Sequence, residues 1–385
     1  MGRQIKLLIV YARFGDGHLQ AATALSDSFA RLGIAEAQIV DLLAQSHPLL
    51  NEVSKFVYRK SYDMFPHLYG WVYETTRDMK ASSPFAHFLH SFGADELLKL
   101  IELERPDAII HTFPSLALPL ITTRLGRRIP MFNVVTDFDL HMRWVHPQVD
   151  KYYVATDDLR LQLNKLGIGD NRIKATGIPL RRSFAEQLSL SEREAVAARY
   201  GLTPDQPIVL LMAGAYGNFA NLRNLCGKLS VQKNIQTIVV CGHNRSVQSE
   251  LHRRFAMHAN VTVLGYVDRI DELMRLAACI VTKPGGLTMS EAIEARLPIF
   301  LLRPVPGQER NNALYLQRQG AAFISRSIEE LFQAILRLLR DSHHRLAMCR
   351  ALERLSKESA SDRIALDITN QLHIMEEASV PLIRG

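Results

Sequence analysis

The amino-acid sequence predicts an α/β chain made of two Rossmann-like, parallel-sheet domains. Three observations carry that prediction. The chain has 385 residues, which suits two domains of about 150–200 residues each. A short apolar run, Ile5 to Tyr11, passes through a glycine loop into a helix-like segment from Gly17 to Leu32, the usual opening of such a domain. A second apolar run, Pro207 to Met212, likewise ends in a glycine loop, Ala213-Gly214-Ala215-Tyr216-Gly217-Asn218.

Composition narrows the class. Hydrophobic residues make up 47% and charged residues 22%, a balance that can bury two cores. No run approaches the roughly 20 apolar residues of a spanning helix. The start, MGRQIKLLIVYARFG, lacks the apolar stretch and small-residue cleavage site of a signal peptide, and it lacks the Ser/Thr of a myristoylation signal. A cytoplasmic location is therefore expected. The cysteines, Cys226, Cys241, Cys279 and Cys349, are scattered with no CxxC pair, so reduced, buried thiols are expected. The formal net charge of +7 suits an anionic membrane surface or nucleic acid. No zinc-ligand spacing, RNP motif or dense basic run supports nucleic acid.

Taken in order, the first loop is Arg13-Phe14-Gly15-Asp16-Gly17-His18. His18 falls at a helix N-terminus beyond a strand's carboxyl end. The helix dipole there disfavours imidazolium and leaves a ring that can accept a proton; a histidine that merely caps the helix is the plain alternative. Ala37 to Asp41 reads as a strand. From His47 to Phe92 no strand is evident. Aromatic, basic and Met residues dominate there, including Phe56, Tyr58, Arg59, Lys60 and Trp71. Spacings of three and four predict two or three short amphipathic helices, broken near Pro66 and Pro84. Such a segment either packs on its own domain or forms an interfacial surface for a membrane.

Glu96 to Leu103 reads as a helix, Ala108 to His111 as a buried strand and Met131 to Thr136 as another. The last runs into Asp137-Phe138-Asp139-Leu140-His141, then Trp144-Val145-His146. Asp137, at a strand's carboxyl end, is a candidate general base; a turn or capping aspartate is the alternative. Asp137-Phe138-Asp139 spells a D-x-D pattern, yet two carboxylates are too few to hold Mg²⁺ alone. His141 and His146 could face an acceptor or be structural. Strands follow at Lys151 to Ala155 and Ile173 to Ala175. The domain limits read as 1–180, with a linker at 181–204, a second domain at 205–360 and a final helix at 361–385. Within 181–204, Ser183 to Thr203 is charged and helix-like.

In the second domain, strands are read at Pro207 to Met212, Ile235 to Cys241, Val261 to Leu264, Cys279 to Thr282 and Ile299 to Leu302. A last strand is read at the end of Arg318 to Ile324. Helices are read at Ser327 to Ser359 and Asp362 to Glu377. Lys283-Pro284-Gly285-Gly286 turns the chain into a helix opening near Leu287 or Thr288 and carrying Ser290 and Glu291. Arg303 to Gly307 delivers Gln308 and Glu309 to the next helix. Backbone N–H groups and the dipole at such junctions favour a phosphate.

Two stretches, VVTDFDLHMRWVHP and KPGGLTMSEAIEARLPIFLLRPVPGQERNNA, together resemble the diacylglycerol glycosyltransferases: the processive bacterial glucosyltransferases and the plant monogalactosyldiacylglycerol synthases. The likeness covers about residues 5 to 325. It implies a glycosyltransferase B-type architecture, two facing Rossmann-like domains with a cleft between them and a final helix crossing back to the first. It implies an inverting hexosyltransferase that moves a hexose, with glucose expected, from a UDP-sugar to the hydroxyl of diacylglycerol, and onward to the resulting glycolipid if the chain is processive. Catalysis would fall to Asp137 with His18. The donor would be held by Gly214, Tyr266, Val267, Lys283, Gly285, Gly286, Leu287, Thr288, Glu291, Gln308, Glu309 and Asn312. Gly15, Gly17, Phe56, Tyr58, Arg59, Lys60, Trp71, His141 and His146 would serve the acceptor or membrane. No metal or cofactor is implied, the UDP-sugar being a co-substrate, and the protein would sit peripherally on the inner face of the cell membrane. A UDP-galactose donor, a lipid-linked N-acetylglucosaminyltransferase and a non-enzymatic nucleotide-sugar sensor stay open.

Overall fold

The computed structural model describes residues 4–12, 16–42, 44, 66–77, 79, 83, 93–114, 117–122, 124–203, 206–213 and 219–379. The chain forms two compact units, Met1–Arg182 with Lys357–Gly385, and Ser183–Ser356.

The first unit is built on a six-stranded sheet. Its strands are β1 (Ile5–Tyr11), β2 (Ala35–Asp41), β3 (Ala108–His111), β4 (Met131–Val134), β5 (Lys151–Val154) and β6 (Ile173–Ala175). They lie in the order β2-β1-β3-β4-β5-β6 and every pairing is parallel. Strands in such a sheet are covered on both faces and read as continuous apolar runs; Leu7, Leu8, Ile9 and Val10 are all buried. Helices α1 (Gly17–Leu32), α2 (Pro66–Arg77), α3 (Ala94–Glu104), α4 (Ala117–Ile121) and α5 (Asp157–Lys165) belong to this unit. α1 stops at Gly33, whose left-handed φ of 66° turns the chain so that the Ile34 N–H donates back to the Phe29 carbonyl at 3.3 Å. α2 opens on Pro66, a residue suited to a first helical turn because its missing N–H has no partner to lose there.

The second unit holds α6 (Leu190–Arg199), β7 (Ile208–Met212), α7 (Phe219–Ser230), β8 (Gln236–Val240), α8 (Arg245–Phe255), β9 (Val261–Leu264), α9 (Ile270–Leu276), β10 (Cys279–Thr282), α10 (Gly286–Glu294), β11 (Ile299–Leu302), α11 (Gln308–Arg318), β12 (Ala322–Ser325), α12 (Ile328–Arg340) and α13 (Ser342–Leu355). Its sheet runs β12-β11-β10-β7-β8-β9, again with parallel pairings. Residues 181–204, read above as a linker, mostly lie inside this unit. α6 opens with a capping box in which Ser189 and Glu192 satisfy each other's backbone N–H, and Arg199 at its far end donates to Glu272 at 2.7 Å.

The chain then returns to the first unit as α14 (Ala360–Ser379). Ile364, Ala365, Ile368 and Leu372 join the core formed by Leu7, Ile9, Leu25, Phe29, Ile110 and Phe132. Burying each large aliphatic side chain contributes about 1.5–3 kcal/mol. A polar latch sits beside this contact. Asp367 accepts from Lys151 Nζ at 2.8 Å, Lys174 Nζ at 2.5 Å and the Tyr153 hydroxyl at 2.9 Å. Gly177 makes room for the returning chain: its φ is 88°, and a Cβ there would meet Lys357 Cβ at 2.8 Å.

Both sheets have the expected α/β architecture. The helices α5, α7, α8 and α9 were not read from the sequence. Of the aromatic segment His47 to Phe92, the helix at 66–77 is present; Phe56, Tyr58, Arg59 and Lys60 lie outside the described residues, as do Gly15 and Gly214. All four cysteines are free, three of them buried.

Candidate active site

Each sheet reverses its strand order at one place, and loops at such a switch point form the ligand crevice of an open α/β sheet. In the first unit the switch lies between β1 and β3, where β1 pairs β2 on one side and β3 on the other. His18 sits at the start of α1, just past the β1 end. Its Nδ1 lies 2.6 Å from the Thr112 carbonyl, beyond β3. A carbonyl only accepts, so Nδ1 carries the proton and Nε2 holds the lone pair in the neutral ring. The same Nδ1 is 3.0 Å from the Thr136 hydroxyl oxygen, and the Thr112 hydroxyl donates to the His18 carbonyl at 3.0 Å. Phe113 presents its ring edge-on at 5.1 Å. Burial lowers the proton affinity of His18; Asp137 and the Thr112 carbonyl pull the other way, and the net result is below the ordinary histidine value.

Asp137 follows Thr136 directly and is only 7% exposed. It acts electrostatically on His18. These two predicted residues are thus brought together with Thr112 and Thr136, which the sequence reading did not single out. Both threonines stand just past strand ends, and that position was the available signal.

The rest of the loop after β4 turns to a different partner. Asp139 accepts from Arg77 Nη2 at 2.7 Å and from the Tyr73 hydroxyl at 3.0 Å, both on α2. His141 Nδ1 accepts from the Arg143 backbone N–H at 3.1 Å, which leaves Nε2–H facing the Thr76 hydroxyl at 3.3 Å. Burial, then Arg143 and Arg77, pushes His141 down to about 4. His146 accepts from the Gln148 backbone N–H at 3.1 Å and is also lowered by burial. Trp71, elsewhere on α2, is 66% exposed.

In the second unit the switch lies between β7 and β10. α10 starts at Gly286 behind the extended residue Gly285, with no side-chain cap and no acidic residue in its first turn. Its first N–H groups therefore have no capping carboxylate to compete with an incoming anion. Lys283 is half-buried at this turn, with Leu287 and Thr288 beside it. Asn312 is fully buried on α11 and donates to the Pro284 carbonyl at 3.1 Å, so it props the turn from behind. Glu291 lies in the second turn of α10 and is 9% exposed. Gly307, at φ 97° and ψ −142°, takes a conformation reserved for glycine and sets Gln308 and Glu309 at the head of α11. Tyr266 follows β9, is 53% exposed, and stacks on His243 at the end of β8, ring centroids 4.4 Å apart and planes 10° off parallel. His243 is a third residue, after Thr112 and Thr136, that the sequence did not single out. Val267 is half-buried next to the pair. Among the described residues no three His, Cys, Asp or Glu side chains converge as a metal cluster would.

Comparison with known proteins gives matches in both units. Residues 18–180 match the family model of monogalactosyldiacylglycerol (MGDG) synthase, and residues 218–364 match the glycosyltransferase family 28 C-terminal domain. A processive diacylglycerol beta-glucosyltransferase of Bacillus licheniformis is 37% identical over 376 residues, 97% of each chain. Among solved structures, the S. aureus MnaA–UDP complex superposes with a TM-score of 0.65 at 16% identity, covering 96% of this chain and 98% of that one. WaaG, a glycosyltransferase involved in lipopolysaccharide biosynthesis, gives 0.54 at 17% identity, covering 95% and 99%. These two likenesses speak for the fold.

Proposed function

This chain belongs to the family of processive diacylglycerol beta-glucosyltransferases, and from that premise we propose that it is a hexosyltransferase moving glucose from UDP-glucose to the hydroxyl of diacylglycerol with inversion. The observation that carries the chemistry is the pairing of Asp137 with a His18 whose Nδ1 proton is tied to the Thr112 carbonyl. Asp137 takes the proton of the acceptor hydroxyl as the new glycosidic bond forms. His18, neutral and with Nε2 open to accept a hydrogen bond, orients that hydroxyl. Attack from the face opposite the diphosphate breaks the anomeric C–O bond and turns an α-linked donor into a β-glycoside.

The departing UDP gains charge, which must be met where it develops. The uncapped first turn of α10, from Gly286 to Thr288, and Lys283 supply that countercharge. Glu291 accepts from the ribose hydroxyls. Gln308 and Glu309 read the hydroxyls of the sugar. Tyr266 and Val267 border the base. No metal enters this scheme, because the second carboxylate of the D-x-D, Asp139, is already taken by Arg77 and Tyr73. Among the described residues no helix is long and apolar enough to cross a membrane. We place the protein peripherally at the inner face of the cell membrane, where its net charge of +7 favours anionic lipid.

The test is direct. Purified protein is incubated with vesicles containing diacylglycerol and either UDP-glucose or UDP-galactose, and the lipids are analysed by mass spectrometry and by the anomeric proton coupling. β-Glucosyl diacylglycerol is expected, with the galactose donor much the poorer. No glycolipid from either donor rejects the proposal.

A further inference from the structure

α2 has two unlike faces. Tyr73, Thr76 and Arg77 stand at i, i+3 and i+4, so they share one side of the helix. All three engage the loop that begins with Asp137: Tyr73 and Arg77 through Asp139, Thr76 through His141. The Tyr73 ring also meets the His141 ring edge-on at 5.1 Å. Asp139 is buried to a side-chain exposure of 8%, while Arg77 keeps 34%. An ion pair with one buried partner and a second hydrogen bond to the same carboxylate holds a geometry better than a surface pair does. Trp71 comes two residues before Tyr73, about 200° round the helix at 3.6 residues per turn. It therefore points away from the gripped side, and it is 66% exposed. A large exposed aromatic on one side and a buried polar grip on the other make the helix a spacer about 10 Å thick.

We propose that Asp139 and His141 are positioning residues which grip α2 so that the helix acts as a strut, Trp71 resting in the lipid surface and the far side fixing the height of the Asp137 loop above it. This rests on the diacylglycerol glycosyltransfer proposed above and assigns how a hydroxyl near the lipid surface is brought level with the base. It also divides the D-x-D pattern: the first aspartate does chemistry and the second sets a distance. Indole rings favour the headgroup level of a bilayer, apolar body inward and N–H wet, so a lipid surface is the occupant the exposed Trp71 suits.

The experiment uses the full chain and vesicles of phosphatidylcholine with brominated acyl chains and added diacylglycerol. The chain has two tryptophans, and Trp144 is 2% exposed, so quenching by brominated lipid reports on Trp71. Quenching of the wild type is expected. Asp139→Asn and Arg77→Ala should keep that quenching yet raise KM for vesicle diacylglycerol about tenfold, with KM for UDP-glucose within about twofold. The double variant should be no worse than either single one, since both remove the same link. Arg77→Lys should recover most of the loss, which a mere folding defect would not predict. Absence of Trp71 quenching, an unchanged KM for diacylglycerol, or effects that multiply in the double variant would overturn the strut. Failure of the wild type to make glycolipid while quenching persists would instead count against the proposed reaction.

Discussion

Replacing Asp137 by Asn is the sharpest probe of the chemistry. The exchange keeps the size of a side chain that is 7% exposed and removes its negative charge together with its power to take a proton. General-base help is worth roughly 10²–10⁴-fold, which is about 2.7–5.4 kcal/mol of barrier at 1.36 kcal/mol per decade. kcat should fall by that factor. UDP affinity should hold within about threefold, or roughly 0.7 kcal/mol, because every residue assigned to the diphosphate belongs to the other unit. A second signature follows from His18. The Asp137 charge is one of the influences that raise its proton affinity, so the acid limb of any residual activity should move to lower pH. Turnover is measured with UDP-glucose and diacylglycerol vesicles across pH, and UDP binding by calorimetry. Wild-type turnover would remove Asp137 from the reaction. An equal loss in UDP affinity and turnover would put it on the donor instead.

Four further outcomes are expected. Glu291→Gln should weaken binding of UDP about tenfold or more while the rate at saturating donor changes little, which titration calorimetry and a KM-against-kcat comparison check. Asp367→Ala leaves Lys151 half-stranded beneath α14 and should destabilise the first unit by about 3–5 kcal/mol, the usual cost of removing one partner from a buried pair, read by denaturant unfolding. Burial alone would raise the Asp367 carboxyl, but Lys151, Lys174 and Tyr153 outweigh it and hold it below the ordinary value. A depressed folded-state value means stability that is present above the unfolded pKa, near 4, and lost as pH falls below it; that acid loss should shrink in Asp367→Asn. His141 is held down to about 4 against 6.5, so it resists protonation in the folded chain. Its contribution to stability is lost as pH falls from 6.5 towards 4, by roughly 3 kcal/mol at 1.36 kcal/mol per unit, and His141→Asn should flatten the melting temperature over that window.

The elements that could be read from the sequence were those whose signal is local. β1 and α1 announce themselves through an apolar run, a glycine turn and Gly33 at the helix end. β10 and α10 do so through Cys279 to Thr282 and the Lys283–Gly286 turn. α8 and α5 were missed because they are strongly polar: RSVQSELHRRF and DDLRLQLNK bury only Val247, Leu251 and Phe255 in one case and Leu159 and Leu163 in the other, a narrow i, i+4 stripe easily lost in an otherwise charged run. The site shows the same divide. Asp137, His18 and Glu291 sit in motifs of recognisable spacing. Thr112 and Thr136 touch His18 across 94 and 118 residues of chain, and no local pattern records a contact of that range. The partners of Asp139 lie 62 and 66 residues away on α2, so the letters D-x-D alone gave no sign that its second member was committed.

The two units place opposite chemistry on the same scaffold. Each sheet offers loops at one switch point, and the backbone there is similar in kind. In the first unit those loops carry Asp137 and a histidine kept short of its ordinary proton affinity, which under the proposed reaction would take up the proton of the acceptor. In the second they carry Lys283 and an uncapped helix start with no acidic residue in its first turn, which under the proposed reaction would receive the diphosphate. A glycosyl transfer needs both at once: a hydroxyl losing its proton and a diphosphate gaining charge. With each demand assigned by the proposal to few side chains on separate units, the losses should separate as well. Variants at Asp137 or His18 should spare nucleotide binding, and variants at Glu291 or Lys283 should spare the pH dependence. A single substitution that disturbed both to the same degree would mean that the division of labour by unit is wrong.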